Sequence, residues 1–210
     1  MILSFQEIDA AMAAGQIVID PRPDDAAWTS TAIDLTLNNV VLEWILPKSP
    51  PTGGDIPWPR PNAKNFNVQA MMDDTRLARR VEIDPVKGYE LKARSFVLGF
   101  TREIVQLPIQ SRIAARVEGK SSLARVGLGV HVTAPTIHAG FGVDLNKPDQ
   151  RGTVIQLEIF NLAEWSVILD VGMRICQLIL EEVREVPVKA YRGQFNAQKP
   201  FLTVPQARPS

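Results

Sequence analysis

The chain has 210 residues, and its 23 Lys plus Arg are matched by 23 Asp plus Glu. This length suits one sizeable domain over residues 1–210, and zero formal charge excludes the basic excess by which a protein neutralises a nucleic-acid backbone. One cysteine, Cys176, and two histidines, His131 and His138, exclude an internal disulfide and a thiolate-rich zinc site.

The N-terminal stretch MILSFQEIDAAMAAG has no basic start and carries Glu7 and Asp9. No apolar run reaches the roughly 18 residues of a membrane helix, so a soluble, cytoplasmic protein without membrane partners is expected. Ser4 and Glu7 have capping-box spacing, Phe5, Ile8 and Met12 recur at helical spacing, and Gly15 offers a stop. The pattern predicts a short N-terminal helix.

Beyond it, residues 17–19, 32–37, 40–46, 89–91, 96–100 and 154–160 are short β-favouring runs divided by Pro, Gly, Asn and Asp. They predict a mainly β domain, a sandwich or distorted barrel, and the 16 prolines fit turns and edges better than helices. Residues 47–65 are too rich in Pro and Gly to pair in a sheet and read as a surface loop or arm, with Trp58 as an exposed anchor or rim residue. No internal repeat is evident.

Glu118-Gly-Lys-Ser-Ser-Leu-Ala-Arg sets a glycine, a cation and two hydroxyls ahead of a turn of helix. Such a turn offers N–H groups, the hydroxyls of Ser121 and Ser122 and the charge of Lys120 to an anion; the alternative is a plain helix cap. P-loop spacing is missing, so ATPase chemistry is not the reading. Within a helical turn Ser121 and Arg125 would share one face, where a hydroxyl and a guanidinium can address the same ligand. Further on, residues 142–151 form a polar loop before the run 153–160. In that run, alternation puts Val154, Gln156, Glu158 and Phe160 on one face and Thr153, Ile155, Leu157 and Ile159 on the other. Glu158 lies either on a solvated face or in a pocket suited to acid/base work; the pattern alone leaves both open. Asp34, between Ile33 and Leu35, reads equally as a buried supporting carboxylate, His131 as a structural or wall residue, and Asn161 as a strand end. Cys176 lies in an apolar stretch and reads as a small buried hydrophobe.

The string GKSSLARVGLGVHVTA at 119–134, with Ile137, Ala139-Gly-Phe, LEIFN at 157–161 and GMRICQL at 172–178, resembles the dCTP deaminase family of the dUTPase-like superfamily. IDPRP at 19–23, TAIDLTLNN at 31–39 and YRGQ at 191–194 extend the resemblance over nearly the whole chain. It implies a homotrimer of distorted β-barrel, jelly-roll-like subunits with active sites between neighbours, hydrolysing dCTP to dUTP and ammonia to supply thymidylate synthesis. It implies no zinc. The residues agree: neither His131-Val-Thr nor His138-Ala-Gly supplies the H-x-E of zinc-dependent nucleobase deaminases, and one cysteine cannot supply their P-C-x-x-C.

By the same resemblance Glu158 corresponds to a proton shuttle, with the Ala134 carbonyl and the Ser121 hydroxyl holding the attacking water and Arg125 stabilising the site. Lys120, Ser121, Ser122 and Arg125 would contact phosphate. Thr133, His138 and Gln156 would also bind substrate, and Tyr191 and Gln194, within a flexible lid at 188–210, would close over a triphosphate carrying Mg²⁺. His138 stands where the family usually has an aspartate that contacts the sugar and, in dUTP-hydrolysing relatives, positions a water. Asp144 or Asp149 of the adjacent loop could fill that place. Lys120 replaces a commoner arginine, keeping the charge and losing the fork. Ala190 replaces a frequent lysine, with Lys189 beside it. Two other functions compete: a dUTP diphosphatase or bifunctional deaminase and diphosphatase, and a non-catalytic trimeric deoxynucleotide-binding protein.

Overall fold

Helix α1 (Phe5–Ala13) begins where the sequence puts its cap. Ser4 Oγ accepts from Glu7 N at 3.4 Å, Glu7 Oε2 accepts from Ser4 N at 2.7 Å, and Gly15 turns the chain away at φ 68°. The computed structural model describes residues 1–45, 59, 61, 62, 64, 66–130, 134–143 and 151–188. Twelve strands follow α1 among these residues. They are β1 (Val18–Asp20), β2 (Ile33–Thr36), β3 (Val40–Trp44), β4 (Ala78–Glu82), β5 (Tyr89–Leu91), β6 (Phe96–Gln106), β7 (Ile113–Gly119), β8 (Leu128–Val130), β9 (Thr136–Ile137), β10 (Thr153–Asn161), β11 (Val167–Leu169) and β12 (Arg174–Glu182). Two short helices interrupt them, α2 (Val68–Asp73) and α3 (Ser121–Ala124).

One sheet runs β4-β3-β6-β10-β8, with β1 also on β6; a second runs β2-β12-β7-β9; β5 and β11 form a small ribbon. Every pairing is antiparallel. Both sheets turn aliphatic side chains inward. Ile33, Leu35, Val117 and Leu178 from one meet Val41, Val97, Leu157 and Ile159 from the other, in a single core that also takes in Ile8 and Ala11 of α1. Shared burial of this kind is what makes two sheets one domain.

Expectation and structure agree on a mainly β fold with a short N-terminal helix. The predicted run at 96–100 continues to Gln106, because the polar residues beyond Phe100 are satisfied by the fold. Between the pairs Val154↔Ile104 and Gln156↔Phe100, residues 101–103 face Ile155 alone. At this irregularity Thr101 Oγ1 donates to the Glu103 carbonyl and accepts from Ile155 N, while the Glu103 carboxylate accepts from Thr36 N at 2.9 Å and Thr36 Oγ1 at 2.7 Å. Strands β4, β7, β8, β9, β11 and β12, which the sequence pattern does not pick out, complete the sheets and the ribbon. Among the described residues no helix is long and apolar enough to cross a membrane. Most of the arm at 47–65, including Trp58, lies outside the described residues. So do 144–150 of the polar loop and 189–210 of the proposed lid.

Candidate functional site

Strand β10 lies between β6 and β8, and its alternation falls as the sequence predicts over its regular half. Leu157 and Ile159 are buried in the main core; Gln156, Glu158 and Phe160 look out from the other side of the sheet. Around these two polar groups the outer face is largely apolar. Glu158 stands opposite Leu98, which stands opposite Leu42; Phe160 stands opposite Phe96 with ring centroids 4.8 Å apart. Leu42, Met72, Ala78 and Leu98 form a second, smaller cluster there, and Phe96, Trp44 and Val68 pack on it. Helix α2, capped by Asn67, brings Met72 over the buried Gln156, with the sulfur 3.5 Å from Gln156 Nε2. Glu158 is only partly buried, yet its Oε2 is shut off from solvent.

Helix α3 is the corner at which the chain crosses from β7 in one sheet to β8 in the other. The Lys120 carbonyl accepts from Leu123 N at 3.0 Å and Ala124 N at 2.9 Å, and Leu123 packs on the main core. The turn then ends at Gly127, the one residue type that fits. Its φ is 85°, and a Cβ there would stand 2.8 Å from the Ala163 Cβ. Ser121, Ser122 and Arg125 are exposed on this corner. Lys120 is not. Its ammonium is turned onto Asp34 of β2, whose side chain is 6% exposed.

The corner and the glutamate strand are joined through β8, whose Leu128 pairs with Asn161 at the end of β10. Asn161 does end its strand: its buried amide donates to the carbonyls of Leu91, Lys92 and Trp165 and accepts from Ala163 N. Ala134 and His138 flank the short β9, both exposed. His131 and Thr133, Asp144 and Asp149, and Lys189, Ala190, Tyr191 and Gln194 lie outside the described residues. The structure therefore brings Gln156, Glu158 and Phe160 together on one face, and Ser121, Ser122 and Arg125 together on one corner. Cys176 is fully buried in β12, and burial, with the negative charges of Glu103 and Asp34 nearby, pushes its thiol up, which leaves it a packing residue.

The link between Lys120 and Asp34 escaped the sequence reading, since the two are 86 residues apart. The signal for it was Asp34 itself, an acid alternating with Ile33 and Leu35 on a strand.

The model of the dCTP deaminase-like family matches residues 2–183. A dCTP deaminase of Rhodospirillum rubrum is 33% identical over 204 residues, covering 94% of this chain and 91% of its own. A dUMP-forming dCTP deaminase of Beutenbergia cavernae is 34% identical over 178 residues, covering 85% of this chain and 78% of its own. Among solved structures, the 2′-deoxycytidine 5′-triphosphate deaminase of Agrobacterium tumefaciens matches with a TM-score of 0.59 and 17% identity, a likeness of fold. It covers 86% of this chain and 48% of that one, so the chain spans about half the length of that structure.

Proposed function

The chain belongs to the dCTP deaminase-like family, and from that premise we propose that it hydrolyses the 4-amino group of dCTP, releasing ammonia and dUTP. The observation that carries the reading is the setting of Glu158: a half-buried carboxylate with one oxygen away from solvent, opposite Leu98 and between the buried Gln156 and the Phe96–Phe160 ring pair. A general acid/base needs such a recess, where a water can be held without competing solvent.

In this reading Glu158 takes a proton from a water as its oxygen bonds to C4 of the cytosine, then hands a proton to the amine as the C–N bond breaks. Ammonia leaves, the ring keeps the oxygen as a carbonyl, and the water's second proton ends on ring N3. Ser121 and the Ala134 carbonyl hold the water, Arg125 stabilises the charge that develops, and no zinc takes part. Lys120, Ser121 and Ser122 address the triphosphate, Thr133, His138 and Gln156 the nucleoside, and Tyr191 and Gln194 close over the phosphates. Among the described residues no three His, Cys, Asp or Glu side chains stand together to cage an ion. Mg²⁺ is proposed to arrive on the phosphate oxygens of the nucleotide.

The exposed corner at α3 and the outward face of β10 also suit a homotrimer in which α3 of one copy meets Glu158 of the next. The name of the Beutenbergia relative favours a second reading, in which dUTP is carried on to dUMP. The test is incubation of the pure protein with cytosine and uracil nucleotides and Mg²⁺, with chromatographic separation of products. Ammonia and dUTP from dCTP support the first reading, dUMP with pyrophosphate the second. Intact nucleotides throughout overturn both.

A further inference from the structure

Strand β2 turns Ile33 and Leu35 into the core, so Asp34 projects from the opposite face of its sheet; it is nevertheless 4% exposed. Two side chains surround its carboxylate. Oδ2 accepts from the Lys120 ammonium, and Oδ1 accepts from Gln177 Nε2 at 3.1 Å. Gln177 is the cross-strand partner of Asp34 on β12 and of Glu118 on β7, so the carboxylate is braced from the strand that joins the two. Lys120 is tied at its other end as well, through the backbone carbonyl that opens α3.

We propose that Asp34 is a positioning residue for phosphate binding: it fixes the ammonium of Lys120, the residue that opens the Ser121–Ser122 turn, so that a flexible cation meets the triphosphate already in place. The inference rests on the reading of Lys120 as a phosphate contact. A lysine carries its charge at the tip of a long, freely rotating stem, whereas an arginine presents a rigid fork. Anchoring the stem supplies the rigidity that lysine lacks and removes an ordering cost from binding. The ammonium has three donors. Asp34 takes one, leaving two for phosphate oxygens. Removing either member alone has a different consequence, because Asp34 without Lys120 is a buried charge with only an amide to satisfy it.

Titration calorimetry of the full chain with Mg²⁺-dCTP, and separately with inorganic tripolyphosphate, tests this. Asp34→Asn is expected to weaken both ligands roughly tenfold. Lys120→Arg in the D34N background is expected to restore binding to within about twofold, because the fork needs less anchoring. In a Lys120→Met background, D34N should cost nothing further. Should D34N fail to fold, Gln177→Met, which loosens only the brace, is expected to give a smaller loss in the same direction. The inference is overturned if D34N or Q177M binds as tightly as the wild type, or if D34N costs as much with methionine at position 120 as with lysine. A wild-type chain that binds neither ligand overturns the functional reading, and this inference with it.

Discussion

Two glutamates sit on the ribbon formed by β6 and β10, and the fold treats them in opposite ways. Glu103, at the irregular end, is 3% exposed and receives two donors from Thr36, one from the backbone and one from the hydroxyl. Glu158, at the regular end, is set in a row with Leu98 and Leu42 and beside the Phe96–Phe160 ring pair. The first is a carboxylate given what an ion needs, and it ties the two sheets together, since Thr36 belongs to β2 and Glu103 to β6. The second is half-exposed, with one oxygen away from solvent and hydrocarbon side chains opposite it on the neighbouring strand. The first serves the fold, and the second is the one proposed to exchange a proton. Residue type alone does not say which glutamate serves which end.

Isosteric amides should separate the two roles. Glu158→Gln is expected to lower deamination by about 10²–10⁴-fold, the usual worth of a positioned acid/base, while dCTP still binds and the melting temperature hardly moves. Full turnover by E158Q removes the shuttle from the scheme. Next in size, inactive E158Q chains unfolded and refolded together with inactive Ser121→Ala chains should regain deamination that neither has alone, because some hybrid sites carry both native residues. Mixtures that stay silent would place both groups in sites built from one copy. Glu103→Gln should show the reverse profile, losing about 1–3 kcal/mol of stability in urea titration, as a buried acceptor becomes a partly mismatched amide, with turnover per folded molecule unchanged. A turnover defect in E103Q beyond its folded fraction would blur the distinction drawn here.

The smallest effect concerns Cys176, which packs near Glu103. Burial raises its thiol above the ordinary value of 9.0, so the native state holds the proton where the unfolded chain releases it. Its contribution to stability is therefore whole below that value and declines as pH climbs through it. Iodoacetamide at neutral pH should label the thiol in urea and leave the native protein unmodified, as mass spectrometry would show; rapid native labelling would mean that β12 opens easily.

The legible parts of this molecule are those whose signal is local. The Ser4–Glu7 box is written in four consecutive residues, and it appears as the sequence predicts. The run ending in Asn161 shows its two faces through period-two alternation, and the structure keeps them apart. Strands β7 and β12 were not legible. Ala114, Arg116 and Glu118 carry little β preference of their own, and the strand exists because it pairs along its length with β12, some sixty residues away. Likewise, the order GKSSLAR predicts a turn of helix, which the structure shows, but nothing in it says that Lys120 leans on a carboxylate from β2. Long-range partners of charged groups depend on which strands become neighbours, and that is decided by the core as a whole.

Helix α3 bridges the seam of the sandwich, leaving one sheet and entering the other within a few residues. A ligand gripped there fastens both leaves at once. Nucleotide added to the protein should then delay amide exchange in β7 and in β8 to a common extent, so that its tail acts as a rivet through two layers otherwise joined by core packing and the Thr36–Glu103 bonds.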